Sequence, residues 1–240
     1  GEAIRGWLIP AAGDAKRLAV VVLHGRGGDR TAVLGQLPTL HGLNASVAAI
    51  DLRENGLSAG ASRGTAIGIR EADDAIAAAA EMRRRGYEKV VLLGCSLGAS
   101  AAILAAARDT SINGVIADSA LSSFDRYVAE IADQRLARFG ISARWATTLW
   151  GRAVIAVTRA RLGLHEFARP DDVIAQITPR PLLLIYGADD RVTPAATHGE
   201  ILAAKADAPL WIVEGASHCD TPFVAPETYR ARLREFLDAL

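Results

Sequence analysis

Short, continuous runs of aliphatic residues recur along the chain, separated by stretches in which apolar positions follow a helical period. Runs rich in Val, Leu and Ile without alternation are typical of strands buried on both faces of a sheet. Strands that alternate with helices predict an α/β fold with a mostly parallel sheet and helices on both faces. The predicted strands are residues 3–10, 17–24, 46–51, 89–94, 112–119, 181–187 and 209–215.

Two helical patterns are especially clear. Residues 67–86 place apolar side chains on one face and charged side chains on the other, and Gly86 is a natural stop for the helix. Residues 225–240 show the same amphipathic pattern at the end of the chain. Both predict helices packed against the sheet.

Residues 121–169 interrupt the alternation, because they contain helical patterns but no strand. The segment lies between two predicted strands, so we interpret it as a helical cap inserted within a single domain of residues 1–240. Ordinary crossover helices that have grown longer are the alternative. The segment has eight arginines and four acidic residues.

Composition narrows the classes of partner. The 240 residues carry 27 basic and 27 acidic side chains, which gives no overall attraction to nucleic acid or to acidic membranes. No apolar run is long enough to span a bilayer, and no signal peptide is visible. A cytoplasmic location is therefore expected. The chain starts at Gly1, shortly before a strand, so the sequence does not decide whether a further segment precedes it.

The most informative motif is "GCSLG", residues 94–98, between a predicted buried strand and a strong helix-forming segment. A sharp strand-to-helix turn forces its central residue into a strained backbone conformation, and the neighbouring side chains must then be very small. This arrangement is the nucleophile elbow G-x-S-x-G. It predicts Ser96 as a nucleophile exposed above a helix N-terminus, where negative charge is stabilised.

A serine at its ordinary pKa needs a general base. Among five histidines, only His218 lies in the loop after the last predicted strand, so we select it as the base. A carboxylate must orient the imidazole, and the loop after the preceding strand offers Asp189 and Asp190. The chain order Ser, Asp, His is the order expected for this architecture.

The glycine-rich segment "HGRGGDR", residues 24–30, follows an early strand. The segment lacks the phosphate-binding pattern G-x-x-x-x-G-K-[ST], and its glycine spacing does not fit the dinucleotide-binding pattern G-x-G-x-x-G. We predict instead that the backbone N–H groups of Arg26 and Leu97 form an oxyanion hole.

With these motifs the chain resembles the α/β-hydrolases, specifically the esterase/lipase and dienelactone-hydrolase-like group. Besides the elbow and the glycine-rich loop, "DLRENGLS" resembles the family pattern D-x-R-G-H-G-x-S, and "YGADDRVTP" with "GASHCD" resembles H-G-x-x-D-x-x-x-P with G-x-x-H. The resemblance covers nearly the whole chain. It assigns the triad acid to Asp190, with Asp118 in reserve because some lipases take their acid from that strand.

The chain departs from the family pattern at three positions. Glu54 and Asn55 replace Gly-His, and Tyr186 stands where His is common. None of these positions is catalytic in the family. The first strand of the family also has no counterpart at the start of this chain.

These features predict a serine hydrolase with the triad Ser96, His218 and Asp190 that cleaves carboxylic esters of short to medium acyl chain. A thioesterase, a small-amide hydrolase, an acyltransferase and a haloperoxidase-like enzyme would use the same scaffold. A non-catalytic binding module is the alternative outside enzymes. The sequence does not predict the oligomeric state.

Further expectations concern the substrate and the remaining side chains. We predict that Arg26, Trp145 and Trp150 contact a small-molecule ester, and that the arginine-rich cap favours an anionic group on it. The two cysteines, Cys95 and Cys219, are expected to be inert buried thiols rather than a disulfide framework. No metal or other cofactor is expected, because the sequence has no cluster with metal-ligand spacing.

Overall fold

A computed structural model describes residues 2–13, 16–60, 64–139, 144–167 and 169–240 of the chain. All seven predicted strands are confirmed, with ends that differ by a few residues. The strands are β1 (Gly6–Ile9), β2 (Leu18–Leu23), β3 (Ser46–Ile50), β4 (Lys89–Cys95), β5 (Gly114–Asp118), β6 (Leu182–Gly187) and β7 (Leu210–Val213).

The strands form one seven-stranded sheet in the order β1-β3-β2-β4-β5-β6-β7. Every neighbouring pair is parallel except β1 and β3, which pair antiparallel at the edge. The predicted α/β class with a mostly parallel sheet is therefore confirmed. The carboxyl ends of β4, β5 and β6 lie side by side, and such an edge is where sites form in these sheets.

Helices cover both faces of the sheet. The helices are α1 (Leu37–Gly42), α2 (Ile69–Arg84), α3 (Leu97–Arg108), α4 (Phe124–Ala137), α5 (Arg144–Leu162), α6 (Pro170–Val173), α7 (Glu200–Ala206), α8 (Thr221–Val224) and α9 (Pro226–Asp238). One core cluster joins α2, α3 and α7 to alternate strand residues such as Val21, and the other joins α1 and α9 to the intervening ones such as Val20. The alternation of strand side chains divides the core between the two faces.

Within residues 121–169 the structure places α4 and α5 between β5 and β6. Phe124 and Val128 of α4 form a third, smaller core cluster with Leu162 and Phe167. The rings of Phe124 and Phe167 lie 4.4 Å apart. Residues 140–143 and 168 lie outside the described residues. The predicted cap is therefore described over residues 121–139, 144–167 and 169.

The two glycines of the elbow are required by close backbone contacts. A side chain at Gly94 would overlap the carbonyl group of Gly98, and a side chain at Gly98 would overlap the carbonyl group of Leu23 at the end of β2. The turn from β4 into α3 therefore packs directly on backbone. Only glycine at these two positions allows the approach.

We predict that Gly94→Ala lowers the free energy of unfolding by about 2 kcal/mol or more, because the backbone must shift to admit the methyl group. Gly151→Ala is the matched control. It adds the same methyl group inside α5, where the nearest atom is Val128 Cγ1 at 3.8 Å. It should stabilise the protein by about 0.5–1 kcal/mol. Urea unfolding measures both changes, and equal midpoints for Gly94→Ala and the parent would contradict the close contact.

Candidate active site

Ser96 occupies a strained turn at the carboxyl edge of the sheet. Its backbone angles are φ 54° and ψ −114°, in a region that favours glycine. Its backbone N–H donates to the carbonyl oxygen of Asp118 at 2.8 Å, and its carbonyl oxygen accepts from the N–H of Ser100 at 3.0 Å. Hydrogen bonds to β5 on one side and to α3 on the other hold the turn. The hydroxyl makes no hydrogen bond with the described residues and faces a cavity.

His218 and Asp190 meet at the same edge of the sheet. Nδ1 of His218 lies 2.8 Å from Oδ2 of Asp190, which is hydrogen-bond distance. Asp189 is exposed, and its backbone N–H donates to the carbonyl oxygen of Ala216. Of the two neighbouring aspartates, the structure brings Asp190 to the imidazole. In the described part of the chain no other carboxylate lies within hydrogen-bond distance of this ring.

Asp190 is held in its ionised form by its hydrogen bonds. Burial by itself would raise its pKa, but the hydrogen bonds from His218, Thr193 and Val192 outweigh burial and hold the pKa below its usual range. The backbone N–H groups of Val192 and Thr193 donate to Oδ1 at 2.8 and 2.9 Å, and the Thr193 hydroxyl lies 2.9 Å from Oδ2. A charged carboxylate with a fixed orientation can hold one tautomer of His218.

Asp118 lies in a contrasting environment at the end of β5. Burial raises its pKa to about 7. Its Oδ1 accepts a hydrogen bond from the Ser119 hydroxyl at 3.0 Å, while its buried Oδ2 has no partner in the described structure. Asp118 is therefore not the group that orients His218. Its backbone carbonyl instead accepts from Ser96, so this position supports the elbow.

The glycine-rich loop lies beside Ser96 and is fixed by His24. Nε2 of this buried histidine accepts from the N–H of Leu52 at 3.0 Å, so Nδ1 carries the proton and donates to the Gly25 carbonyl oxygen at 2.7 Å. The N–H groups of Arg26 and Leu97 donate to no acceptor among the described residues. Both are therefore available to a ligand beside Ser96.

The motif "DLRENGLS" anchors the same loop from the other side. Asp51 is fully buried and accepts hydrogen bonds from the N–H groups of Arg30 and Leu57, each at 2.8 Å. The Arg30 guanidinium also pairs with Asp51 at 3.2 Å. A buried carboxylate that is paired and multiply hydrogen-bonded stabilises the loops it connects.

A cavity of about 390 Å³ opens in front of Ser96 and His218. Phe124 and Tyr127 of α4 form part of its wall, and Arg26 lies at its edge. The cavity joins the predicted nucleophile and base in one space. A small organic molecule fits a cavity of this size.

The three side chains predicted to contact substrate are distributed unequally. Arg26 lines this cavity and a second one of about 540 Å³, and Trp150 lines the second. Trp145 lines neither; it is 74% exposed and borders a separate surface depression. Five residues along a helix turn the side chain by about 140°, so Trp145 and Trp150 of α5 point in different directions. The structure does not support substrate contact by Trp145.

The expectation of two free thiols is wrong. Cys95 and Cys219 form a disulfide, although 124 residues separate them in sequence. They are the immediate neighbours of Ser96 and His218. Each cysteine lies next to a residue predicted to share one site, and that shared position was the available signal for the pairing.

Sequence reasoning also missed two polar residues that support the site. The Thr193 hydroxyl lies 3.3 Å from Nδ1 of His218 as well as beside Asp190. The Ser119 hydroxyl accepts from the N–H of Cys219 at 3.3 Å. Both follow the carboxyl ends of strands, and that position was the available signal.

The sheet, the elbow and this site define an α/β hydrolase. The sequence profile of the alpha/beta hydrolase family matches residues 20–232, and the chain belongs to this family. The chain is 27% identical over 230 residues to the uncharacterized protein YfhR of Escherichia coli O157:H7, covering 92% of this chain and 70% of that protein.

Solved structures show the same fold. The esterase Pf2001 of Pyrococcus furiosus aligns with a TM-score of 0.76 at 21% identity, over 99% of this chain and 91% of that one. The α/β hydrolase GrgF from a Penicillium species aligns with a TM-score of 0.75 at 21% identity, over 100% and 94% of the two chains. At these identities the likeness concerns the fold.

Metal-ligand clusters and membrane-spanning helices are both absent from the part of the chain that the structure describes. No three His, Cys, Asp or Glu side chains within them are grouped so that they could hold a metal ion. No helix in the same residues is long and apolar enough to cross a membrane.

We predict that Asp190→Asn lowers kcat by about 10³–10⁴-fold, because the imidazole loses the carboxylate that fixes its tautomer. Asp189→Asn is the matched control and should change kcat little, since this side chain is exposed. Steady-state hydrolysis of a p-nitrophenyl ester measures both. Comparable losses in the two variants would contradict the assignment of Asp190.

Proposed function

We propose that this protein is a serine hydrolase that cleaves carboxylic esters of short to medium acyl chain. The observation that carries the proposal is the 2.8 Å contact between His218 Nδ1 and Asp190 Oδ2, with Ser96 on the same cavity. Membership of the alpha/beta hydrolase family supports the hydrolase class.

In the proposed reaction the Ser96 hydroxyl attacks the ester carbonyl carbon while Nε2 of His218 takes its proton. Asp190 accepts from Nδ1–H and stabilises the resulting imidazolium. The N–H groups of Arg26 and Leu97 bind the oxyanion, where each such donor typically contributes about 2.7–4 kcal/mol to transition-state stabilisation. His218 returns the proton to the leaving alcohol, and water then releases the acyl group by the same steps.

The preference for short to medium acyl chains rests on the size and walls of the cavity. Each buried methylene contributes only about 0.8 kcal/mol, so a chain gains affinity only while the pocket has room. α4 contributes Phe124 and Tyr127 to the wall, which supports the interpretation of residues 121–169 as a cap over the site. Thioesters, small amides and acyl transfer would use the same groups, and a substrate screen distinguishes them.

A cytoplasmic location stays a prediction, and one observation counts against it. Disulfides persist mainly in oxidising compartments, and this protein has one between Cys95 and Cys219.

We predict that Ser96→Ala folds but loses about 10⁶-fold in kcat, the usual loss when such a nucleophile is removed. A fluorophosphonate probe should label the parent on Ser96 and leave the variant unlabelled, and circular dichroism checks that the variant is folded. Ser111→Ala is the control, because Ser111 is exposed before β5 and does not line the cavity, so its variant should still be labelled.

p-Nitrophenyl esters from C2 to C12, with matching thioesters and anilides, test the bond and the chain length in the same preparations. We expect the highest kcat/KM for carboxylic esters in the lower half of the series. Full activity and probe labelling in Ser96→Ala would end the proposed mechanism. A preference for C12 would end only the claim about chain length.

A further inference from the structure

The second cavity, of about 540 Å³, lies beneath α4 and α5 and adjoins the catalytic cavity. The two share the side chains of Arg26, Ile67, Phe124 and Tyr127. The two cavities therefore meet at these four residues, which is where an elongated molecule bound at Ser96 would pass. We name this second cavity the arginine chamber.

The residues that line the arginine chamber include three arginines, Arg26, Arg135 and Arg161, and one tryptophan, Trp150. Its described lining includes no Asp or Glu. None of the three arginines makes an ion pair or a hydrogen bond with the residues that the structure describes. Arg26 in particular pairs with neither Asp29 nor Glu54. Asp29 instead accepts from the backbone and hydroxyl groups of Thr31.

Three acidic side chains, those of Glu130, Asp171 and Asp172, are engaged elsewhere. Glu130 of α4 bonds to His198 at 3.2 Å, on the side of the helix that packs on the domain. Asp171 and Asp172 pair with Arg169. The positive charge of the chamber is therefore not neutralised by these carboxylates. A guanidinium group binds carboxylates in a two-pronged geometry that a lysine cannot match.

We propose that the arginine chamber binds a carboxylate carried at the far end of the substrate, so that the preferred substrates are monoesters of dicarboxylic acids. This inference rests on the proposed ester hydrolysis and specifies its substrate class. The apolar walls contact the methylene chain of the substrate. Arg135 and Arg161 bind its terminal carboxylate, which lies outside the catalytic cavity.

The test compares p-nitrophenyl hydrogen adipate, suberate and sebacate with the same chains ending in a methyl ester. In the parent, kcat/KM for the carboxylate should exceed that of its neutral partner by about tenfold, roughly the effect of one charge-assisted contact. The ratio should fall toward one in Arg135→Gln/Arg161→Gln. It should also fall at high salt, because these arginines are exposed and screened.

Arg138→Gln is the matched control, since Arg138 is exposed near the end of α4 and does not line the chamber. It should keep the parent ratio. A parent that prefers the neutral ester, or an equal loss on both substrates in the double variant, would overturn the inference. If fluorophosphonate labels Ser96 but the parent shows no preference for the carboxylate, only this inference is wrong. If the parent is not labelled, the proposed function is wrong as well.

A separate observation carries a second inference. The Cys95–Cys219 disulfide joins the elbow to the loop of His218, and both sulfur-bearing residues line the catalytic cavity. Ser96 and Cys219 each have a positive φ, of 54° and 60°, so both turns are unusual conformations that neighbouring contacts must hold. Besides the disulfide of its side chain, Cys219 is held through its backbone N–H, which donates a long hydrogen bond of 3.3 Å to the Ser119 hydroxyl.

We infer that this disulfide is a positioning crosslink that sets the distance between the Ser96 hydroxyl and the His218 ring. Reduction by a dithiol breaks the S–S bond and forms two thiols, while the reductant is oxidised to its own disulfide. The side-chain contacts that remain on the histidine loop are those of His218 with Asp190 and Thr193 and that of Cys219 with Ser119. Misplacement of a catalytic group by about 1 Å can cost on the order of 100-fold in rate.

We predict that reduction of the parent with excess dithiothreitol lowers kcat by about 10- to 100-fold and changes KM much less. Cys95→Ala/Cys219→Ala should behave like the reduced parent and should not respond to dithiothreitol. Removal of the reductant under air should restore the parent but not the double variant.

Circular dichroism at the assay temperature separates positioning from unfolding. A folded protein with low kcat supports the inference. Parent-like kcat in the reduced protein and in the double variant would contradict it. A loss of kcat that only matches the unfolded fraction would also contradict it, because the disulfide would then act on stability alone.

Discussion

The approach of backbone to backbone at the end of β4 is the constraint on which the rest of the site depends. Because neither residue has a side chain, Gly94 packs against the backbone of Gly98, and Gly98 packs against the carbonyl group at the end of β2. That contact places Ser96 at the start of α3 with its backbone in a strained conformation, and a hydrogen bond to Asp118 secures it. Such strain persists only where surrounding structure enforces it. Here the packed sheet supplies that enforcement.

Two aspartates at the same edge of the sheet show how environment decides the role of a carboxyl group. Asp190 receives hydrogen bonds from two backbone N–H groups and from His218, which favour its charged form despite burial. Asp118 is buried with one oxygen unpartnered, and its pKa rises to about 7. Environments that push two carboxyl pKa values apart separate a charged partner from a structural group. Burial sets the direction of the pKa shift for Asp118, and the hydrogen-bond donors around Asp190 set it for that residue.

The segment after β5 contributes walls to the catalytic cavity. α4 faces the catalytic cavity with Phe124 and Tyr127, while Glu130 on another side binds His198 of the domain. The helix thus closes one cavity and bounds the next without contributing a catalytic group. In α/β hydrolases the sheet holds the chemistry, and inserted segments are free to vary the walls. Differences in substrate are therefore expected to reside in these helices.

The sequence by itself determined the seven strands, the elbow and the chain order of a serine, an aspartate and a histidine, because aliphatic runs and glycine spacing follow from local backbone geometry. The choice of Asp190 over Asp189 needed the family pattern, and the structure places Asp190 beside the imidazole. Only the tertiary structure decided the Cys95–Cys219 disulfide and the grouping around one cavity of Arg26, Arg135 and Arg161, which form no ion pair with the described residues. Each of these depends on which surfaces of distant segments meet. A sequence pattern predicts which face of a helix or strand is apolar, but it does not predict which other segment packs against that face.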